Sequence, residues 1–100
     1  MITTEKLFQH AELLRKDLGV SIAEAAGLAG VAPLTWKRWK AGVTPRAESE
    51  PGLRRTIEVL EYCVSRQLLP VVGRTRTDSR LLRLQALEYA LDQLQQTNPT

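Results

Sequence analysis

Apolar residues recur three and four positions apart along nearly the whole chain, and no alternating apolar–polar pattern runs longer than three residues. The first spacing lines one face of an α-helix, whereas a half-buried strand needs strict alternation. A sheet protein is thereby excluded, and the chain reads as all-α. Its 100 residues, 43% hydrophobic and 25% charged, suit one compact domain or a small domain with a projecting segment. A chain of this size buries only about 60–70% of its unfolded surface, so each apolar face must find cover.

The stops and starts are local. Leu7, Ala11, Leu14 and Leu18, with Phe8 beside them, form one face of a first helix that starts at Thr3 or Thr4 and is closed by Gly19. Ser21-Ile22-Ala23-Glu24 has the form of a capping box opening an alanine-rich second helix, which ends near Ala29-Gly30. Pro33 suits the first position of a third helix running to Ala41 and stopped by Gly42. Residues 43–49 read as a polar turn, with Ser49 capping a fourth helix that tolerates Pro51 in its first turn. Leu53, Ile57, Leu60 and Val64 supply its apolar face, continuing towards Leu68. Residues 69–78 read as a linker, and Asp78 or Ser79 as the cap of a last helix running to about Gln96, before a TNPT tail expected to fray. The expected organisation is a four-helix domain over 1–68, a linker over 69–78 and a C-terminal helix over 79–96.

Several function classes drop out. The longest apolar stretch, Ala25 to Leu34, is ten residues, against about 20 for a membrane span. The first ten residues lack the basic-then-apolar pattern of a signal peptide, so a soluble, cytoplasmic protein is expected. Cys63 is the sole cysteine and His10 the sole histidine, which leaves no disulfide and no zinc set. His10 reads as a surface residue and Cys63 as packing on the fourth helix. With no nucleophile–base pair and no phosphate loop, the sequence points to no enzyme, no cofactor, no metal and no small-molecule ligand.

The net charge of +3 is concentrated in two islands. Residues 37–55 carry +4, from Lys37, Arg38, Lys40, Arg46, Arg54 and Arg55 against two acids, and residues 74–83 carry +3, from four arginines against Asp78. Islands of this kind form polyanion-binding surfaces, though solvated faces produce them too. The first island overlaps Ser21 to Gly42, where two short helices are separated by a few residues and Ala26, Gly30, Val31, Trp36 and Trp39 stand at fixed offsets. A small residue at 26 permits a near-perpendicular crossing and Gly30 a sharp turn, while Val31 and the tryptophans point inward and leave Lys37, Arg38 and Lys40 outside. This is the specification of a helix-turn-helix, whose second helix can enter a major groove.

The run Gly30-Val-Ala-Pro-Leu-Thr-Trp-Lys-Arg-Trp-Lys-Ala-Gly42 resembles the recognition-helix segment of the phage-repressor, Cro or XRE-type (lambda-repressor-like) helix-turn-helix proteins. The matching residues are Gly30, Val31, Thr35, Trp36, Trp39 and Gly42, with Ala26 upstream. The likeness covers about residues 4–68 and leaves out the last helix. Ala32 stands where that family usually caps with serine, and Pro33 and Leu34 stand where it often carries amide or hydroxyl base-readers. The resemblance implies a double-stranded DNA partner, with Pro33, Leu34, Lys37, Arg38 and Ala41 facing the groove. Arg38 can pair with guanine O6 and N7, and Leu34 or Pro33 can touch a thymine methyl. Lys40, Arg46 and Arg54 are assigned to phosphates, with Lys37 able to join them and Ser21 and Thr35 at the edges.

Other readings of the same residues are blander. Trp36 and Trp39 could stack on single-stranded bases, but three-residue spacing on the face opposite Arg38 favours core. Gly27-Leu28-Ala29-Gly30 is a GxxG string without the strands a KH domain needs. Leu84, Leu87, Leu91 and Leu94 form a two-heptad seam, widened by Leu81, Leu82 and Tyr89, and the linker before it favours burial on a second chain over docking at home. The resulting expectation is a small Cro-like transcriptional repressor acting as a homodimer on a palindromic site. A chain ending at Gly73 is then expected to keep its fold as a monomer. The alternatives are an antitoxin-like protein-interaction module with an incidental basic face, and an excisionase-type architectural DNA binder, which usually needs a β-hairpin wing that residues 43–50 are too short and too proline-bound to supply.

Overall fold

A computed structural model describes residues 2–96, and the expected fraying at 97–100 lies outside them. The described residues form five α-helices and no strand: α1 (Thr4–Asp17), α2 (Ile22–Ala29), α3 (Pro33–Lys40), α4 (Glu50–Ser65) and α5 (Arg76–Gln96). Thr3 caps α1 by accepting from the Lys6 N–H. The capping box at α2 is present in both directions: the Ser21 hydroxyl accepts from the Glu24 N–H at 3.0 Å, and the Glu24 carboxylate accepts from the Ser21 N–H at 2.9 Å. Gly30 closes α2 in the left-handed region at φ 75°, and the Val31 N–H donates back to Ala26. Ala32 offers α3 no side-chain cap, and Pro33 at the start removes one N–H that would need it.

Two start signals differ from the sequence expectation. The Ser49 hydroxyl caps nothing, because a single 3₁₀ turn over Ala47–Ser49 leads directly into α4. The region where a β-hairpin wing would stand is thus coil and 3₁₀ turn. At α5 the cap is neither Asp78 nor Ser79. The Thr75 hydroxyl accepts from the Asp78 N–H at 3.1 Å, while the Ser79 hydroxyl accepts from Gly73 at 2.8 Å. α5 therefore begins three residues earlier than the expected 79.

One core runs through all five helices. Leu7, Phe8, Ala11 and Leu18 of the α1 region meet Leu53, Ile57 and Leu60 of α4, with Ala25, Ala26, Leu28 and Ala29 of α2 and both tryptophans of α3. Trp36 is fully buried, and Phe8 packs edge-on against Trp36 and Trp39 with ring centroids 5.1 and 5.5 Å away. The tryptophans are core, with no face left for a base. Val64, expected on the apolar face of α4, is exposed instead, while Thr56, Val59 and Cys63 are buried. The difference comes from α5, which covers that second flank of α4.

The C-terminal helix is not a free-standing appendage on a linker. Ala86, Leu87 and Ala90 of α5 are buried against the domain, Leu91 and Leu94 pack on its edge, and the Cys63 thiol lies 4.0 Å from the Ala86 carbonyl. Leu69 is buried and Leu68 and Val71 pack on the core, so the segment expected to link is itself held down. Small residues decide the docking: Ala86 and Ala90, four apart, let the helix approach α4 closely. Of the four seam leucines, Leu87 is thus spent at home, and Leu84, Leu91 and Leu94 are half-buried. A chain ending at Gly73 would uncover Cys63 and Val59, so the fold it is expected to keep would be a weaker one. Urea unfolding should show it less stable than the full chain by about 3 kcal/mol or more, the burial of one leucine and two alanines.

Candidate nucleic-acid interface

The orientation of α3 is set from below. Trp36 donates its indole N–H to Glu12 Oε1 at 2.9 Å, and Arg15 holds the same carboxylate with two bonds of 2.6 and 2.7 Å. Arg15 also donates to the Val20 carbonyl at 2.9 Å, and the Lys40 ammonium at the far end of α3 lies 3.7 Å from Glu12 Oε2. The Glu12 and Arg15 side chains are only 14% and 12% exposed, so this is a largely desolvated cluster rather than a surface pair. Burial alone would raise the Glu12 carboxyl. The hydrogen bonds from Arg15 and Trp36 and the charges of Arg15 and Lys40 outweigh it and hold the group below its ordinary value of 4.5.

The turn before α3 is clamped from the other side. Arg55 of α4 donates to the Leu28 carbonyl at 2.8 Å, satisfying one of the open carbonyls at the end of α2. A Cβ at Gly52 would strike the Ala29 carbonyl, so glycine there is what lets α4 come against the end of α2. Thr4 of α1 ties down the segment after α3 by donating to the Pro45 carbonyl at 2.7 Å.

The outer face of α3 then presents Pro33, Leu34, Lys37 and Arg38, all exposed, with Ala41 just beyond and Thr35 half-buried. Leu34 is 58% exposed. Among the described residues neither Lys37 nor Arg38 has an ion pair. Thr35, Arg38 and Arg46 line one notch of about 320 Å³ together with Trp39, Val43, Thr44, Ser49 and one acid, Glu48. Each of the three cations expected at phosphates lies near an acid. Lys40 leans towards Glu12, Arg46 lies 3.8 Å from Glu48, and Arg54 lies 3.6 Å from Glu50 one turn earlier on α4. The latter two pairs are well exposed, so each contributes roughly 0.2–1 kcal/mol and a stronger anion can displace the acid. Ser21 and Arg54 stand away from the notch. Ser21 lines a groove between α2 and α5, and Arg54 lines one between α4 and α5.

The first of these grooves is bridged by a second buried ion pair. Arg83 of α5 donates to Glu24 at 2.9 and 3.3 Å, with side chains 18% and 7% exposed. Burial would raise Glu24, but Arg83 and the capping contacts with Ser21 hold it below its ordinary range. Of the expected dimer leucines, Leu84, Leu87 and Leu91 line this groove, and Leu91 and Leu94 line the α4–α5 groove.

Sequence reasoning missed Glu12, Arg15, Gly52, Arg55 and the Glu24–Arg83 pair. A signal existed for the first two: the three-residue spacing of Glu12 and Arg15 on α1, and the need of a buried indole N–H for an acceptor. Among the described residues no group of three or more His, Cys, Asp or Glu could hold a metal ion, and no helix is long and apolar enough to cross a membrane. Compared with protein-family models, with curated proteins and with solved structures, the chain finds no match in any of the three.

Replacing Glu12 with Gln leaves Arg15 without its charge partner and should cost about 3 kcal/mol at neutral pH. Because the native Glu12 carboxyl is held low, its stabilisation is full above the ordinary value of 4.5 and fades as pH falls through the native one. Urea titrations from pH 7 down to acid should therefore find wild type and the Glu12→Gln variant converging as pH drops.

Proposed function

We propose that this chain is a sequence-specific double-stranded DNA-binding protein, a small transcriptional regulator of the Cro-like kind that works in the cytoplasm as a homodimer and catalyses no reaction. The observation that carries the reading is α3 itself. Its inner face is pinned by Trp36, Trp39 and Glu12, while its outer face offers Lys37 and Arg38 exposed and, among the described residues, without an ion pair. A rigid helix with cations on its free face, following a glycine-closed helix and a three-residue turn, supports insertion into a major groove. Arg38 is the base reader in this reading, and Leu34 the contact for a thymine methyl. Arg46 lies with Arg38 and Thr35 on one notch and suits the adjoining phosphates. Lys40 and Arg54 add phosphate contacts once released from their carboxylates, and Ser21 stands at the start of α2, the helix that crosses the backbone in such docking.

One such helix reads too few base pairs to single out a site among a genome's competitors. Two copies related by a two-fold axis read a palindrome with half-sites about 34 Å apart. The test is selection of bound duplexes from a random pool, followed by titration at several salt concentrations. A palindromic preference should emerge, and log affinity should fall linearly with log salt by about 0.9 per phosphate contact. Arg38→Ala should flatten preference at one or two base pairs per half-site, whereas Lys37→Ala should weaken specific and random duplexes more evenly. Salt-independent affinity, or no duplex enrichment, overturns the reading.

A further inference from the structure

The groove between α2 and α5, about 650 Å³ in volume, is walled by Ala23, Gly27 and Leu28 on one side and Leu84, Leu87 and Leu91 on the other. Its α2 wall is low: a Cβ at Gly27 would meet nothing within 4 Å. Along α5 a stripe of Arg80, Leu84, Glu88 and Leu91 faces it, at spacings of four, four and three. The exposed Leu81 widens the apolar centre of that stripe. Arg83, the other cation on the groove, is already committed to Glu24. Arg80 and Glu88 have no ion pair among the described residues, and eight positions of helix hold them about 12 Å apart along the axis, out of each other's reach.

The Arg80, Leu84 and Glu88 part of the stripe is complementary to its own reverse. Turning the helix end for end about Leu84 exchanges Arg80 with Glu88 and leaves leucine at the centre. We propose that this stripe is a homodimer interface, in which α5 helices of two copies pack antiparallel across a two-fold axis at Leu84. Arg80 of each copy then stands level with Glu88 of the partner, and Leu84 meets its own counterpart. Such an interface is isologous, as a closed two-fold dimer requires. A parallel pairing would instead bring Arg80 to Arg80 and Glu88 to Glu88, which opposes association. The proposal supplies the dimer surface that the DNA-binding reading calls for, but it does not depend on DNA.

Sedimentation of the full chain from micromolar concentration upward tests it. Wild type should dimerise, Arg80→Glu and Glu88→Arg should each weaken the dimer by about tenfold or more, and the double reversal should recover most of that loss. Both positions are exposed, and circular dichroism checks that the variants stay helical. Independently, Leu84→Cys should form a covalent dimer on air oxidation and Tyr89→Cys, off the stripe, should not. Cys63 adds no background, being fully buried with its thiol pushed up by burial to about 11. A wild type that stays monomeric, a double reversal no better than the single ones, or cross-linking at 89 but not at 84 overturns the interface. Duplex binding by the same samples separates the two ideas. Charge rescue without DNA binding sinks only the DNA reading, and DNA binding without charge rescue sinks only this interface.

Discussion

The carboxylate of Glu12 holds three parts of the molecule in one arrangement. It sits on α1, takes the Trp36 indole N–H from α3 and is clasped by Arg15, whose other end secures the Val20 carbonyl at the entry to α2. An apolar core alone would let an eight-residue helix such as α3 rotate or slide, since burial is non-directional. A charged group that must be satisfied in a largely dry place permits far fewer positions. The exposed face of α3 is therefore a consequence of what its buried face is bound to, and the side chains available to a partner are selected from inside.

The same device appears a second time at the start of α2. Glu24 serves its own helix as half of the capping box and, through Arg83, fixes α5. One carboxylate thus joins a local signal to a contact 59 residues away in sequence. Together with the close approach permitted by Ala86 and Ala90, it converts what would be an extension into part of the same body. The cost of ordering a 21-residue helix falls on the domain, which gains cover for the second flank of α4.

How much of this the sequence disclosed follows from the range of each interaction. Helix boundaries from Thr3 to Gly42 are legible because caps, prolines and left-handed glycines act within four residues of themselves. The burial of Trp36 and Trp39 is legible for the same reason, from spacing on one short helix. The position of α5 is not, because its leucines point several ways and Leu87 docks it together with two alanines and an arginine that announce no buried face. Nor could charge alone tell Arg55, which closes the end of α2, from its neighbour Arg54, which leans on Glu50. Among the described residues Lys37 and Arg38 have no ion pair, whereas Lys40 and Arg46 lie near acids that helix spacing did not single out and Arg54 lies near Glu50 at the four-residue spacing of one helix face.

Cys63 lies fully buried on α4 with the Ala86 carbonyl of α5 over its sulfur. Burial keeps it as the unreactive thiol in the native state, so an alkylating reagent reaches it only when α5 lifts. The single cysteine is in effect a clock on that motion. Its labelling rate in native buffer, set against the rate in denaturant, reports how often the last helix leaves the body while the first four remain folded.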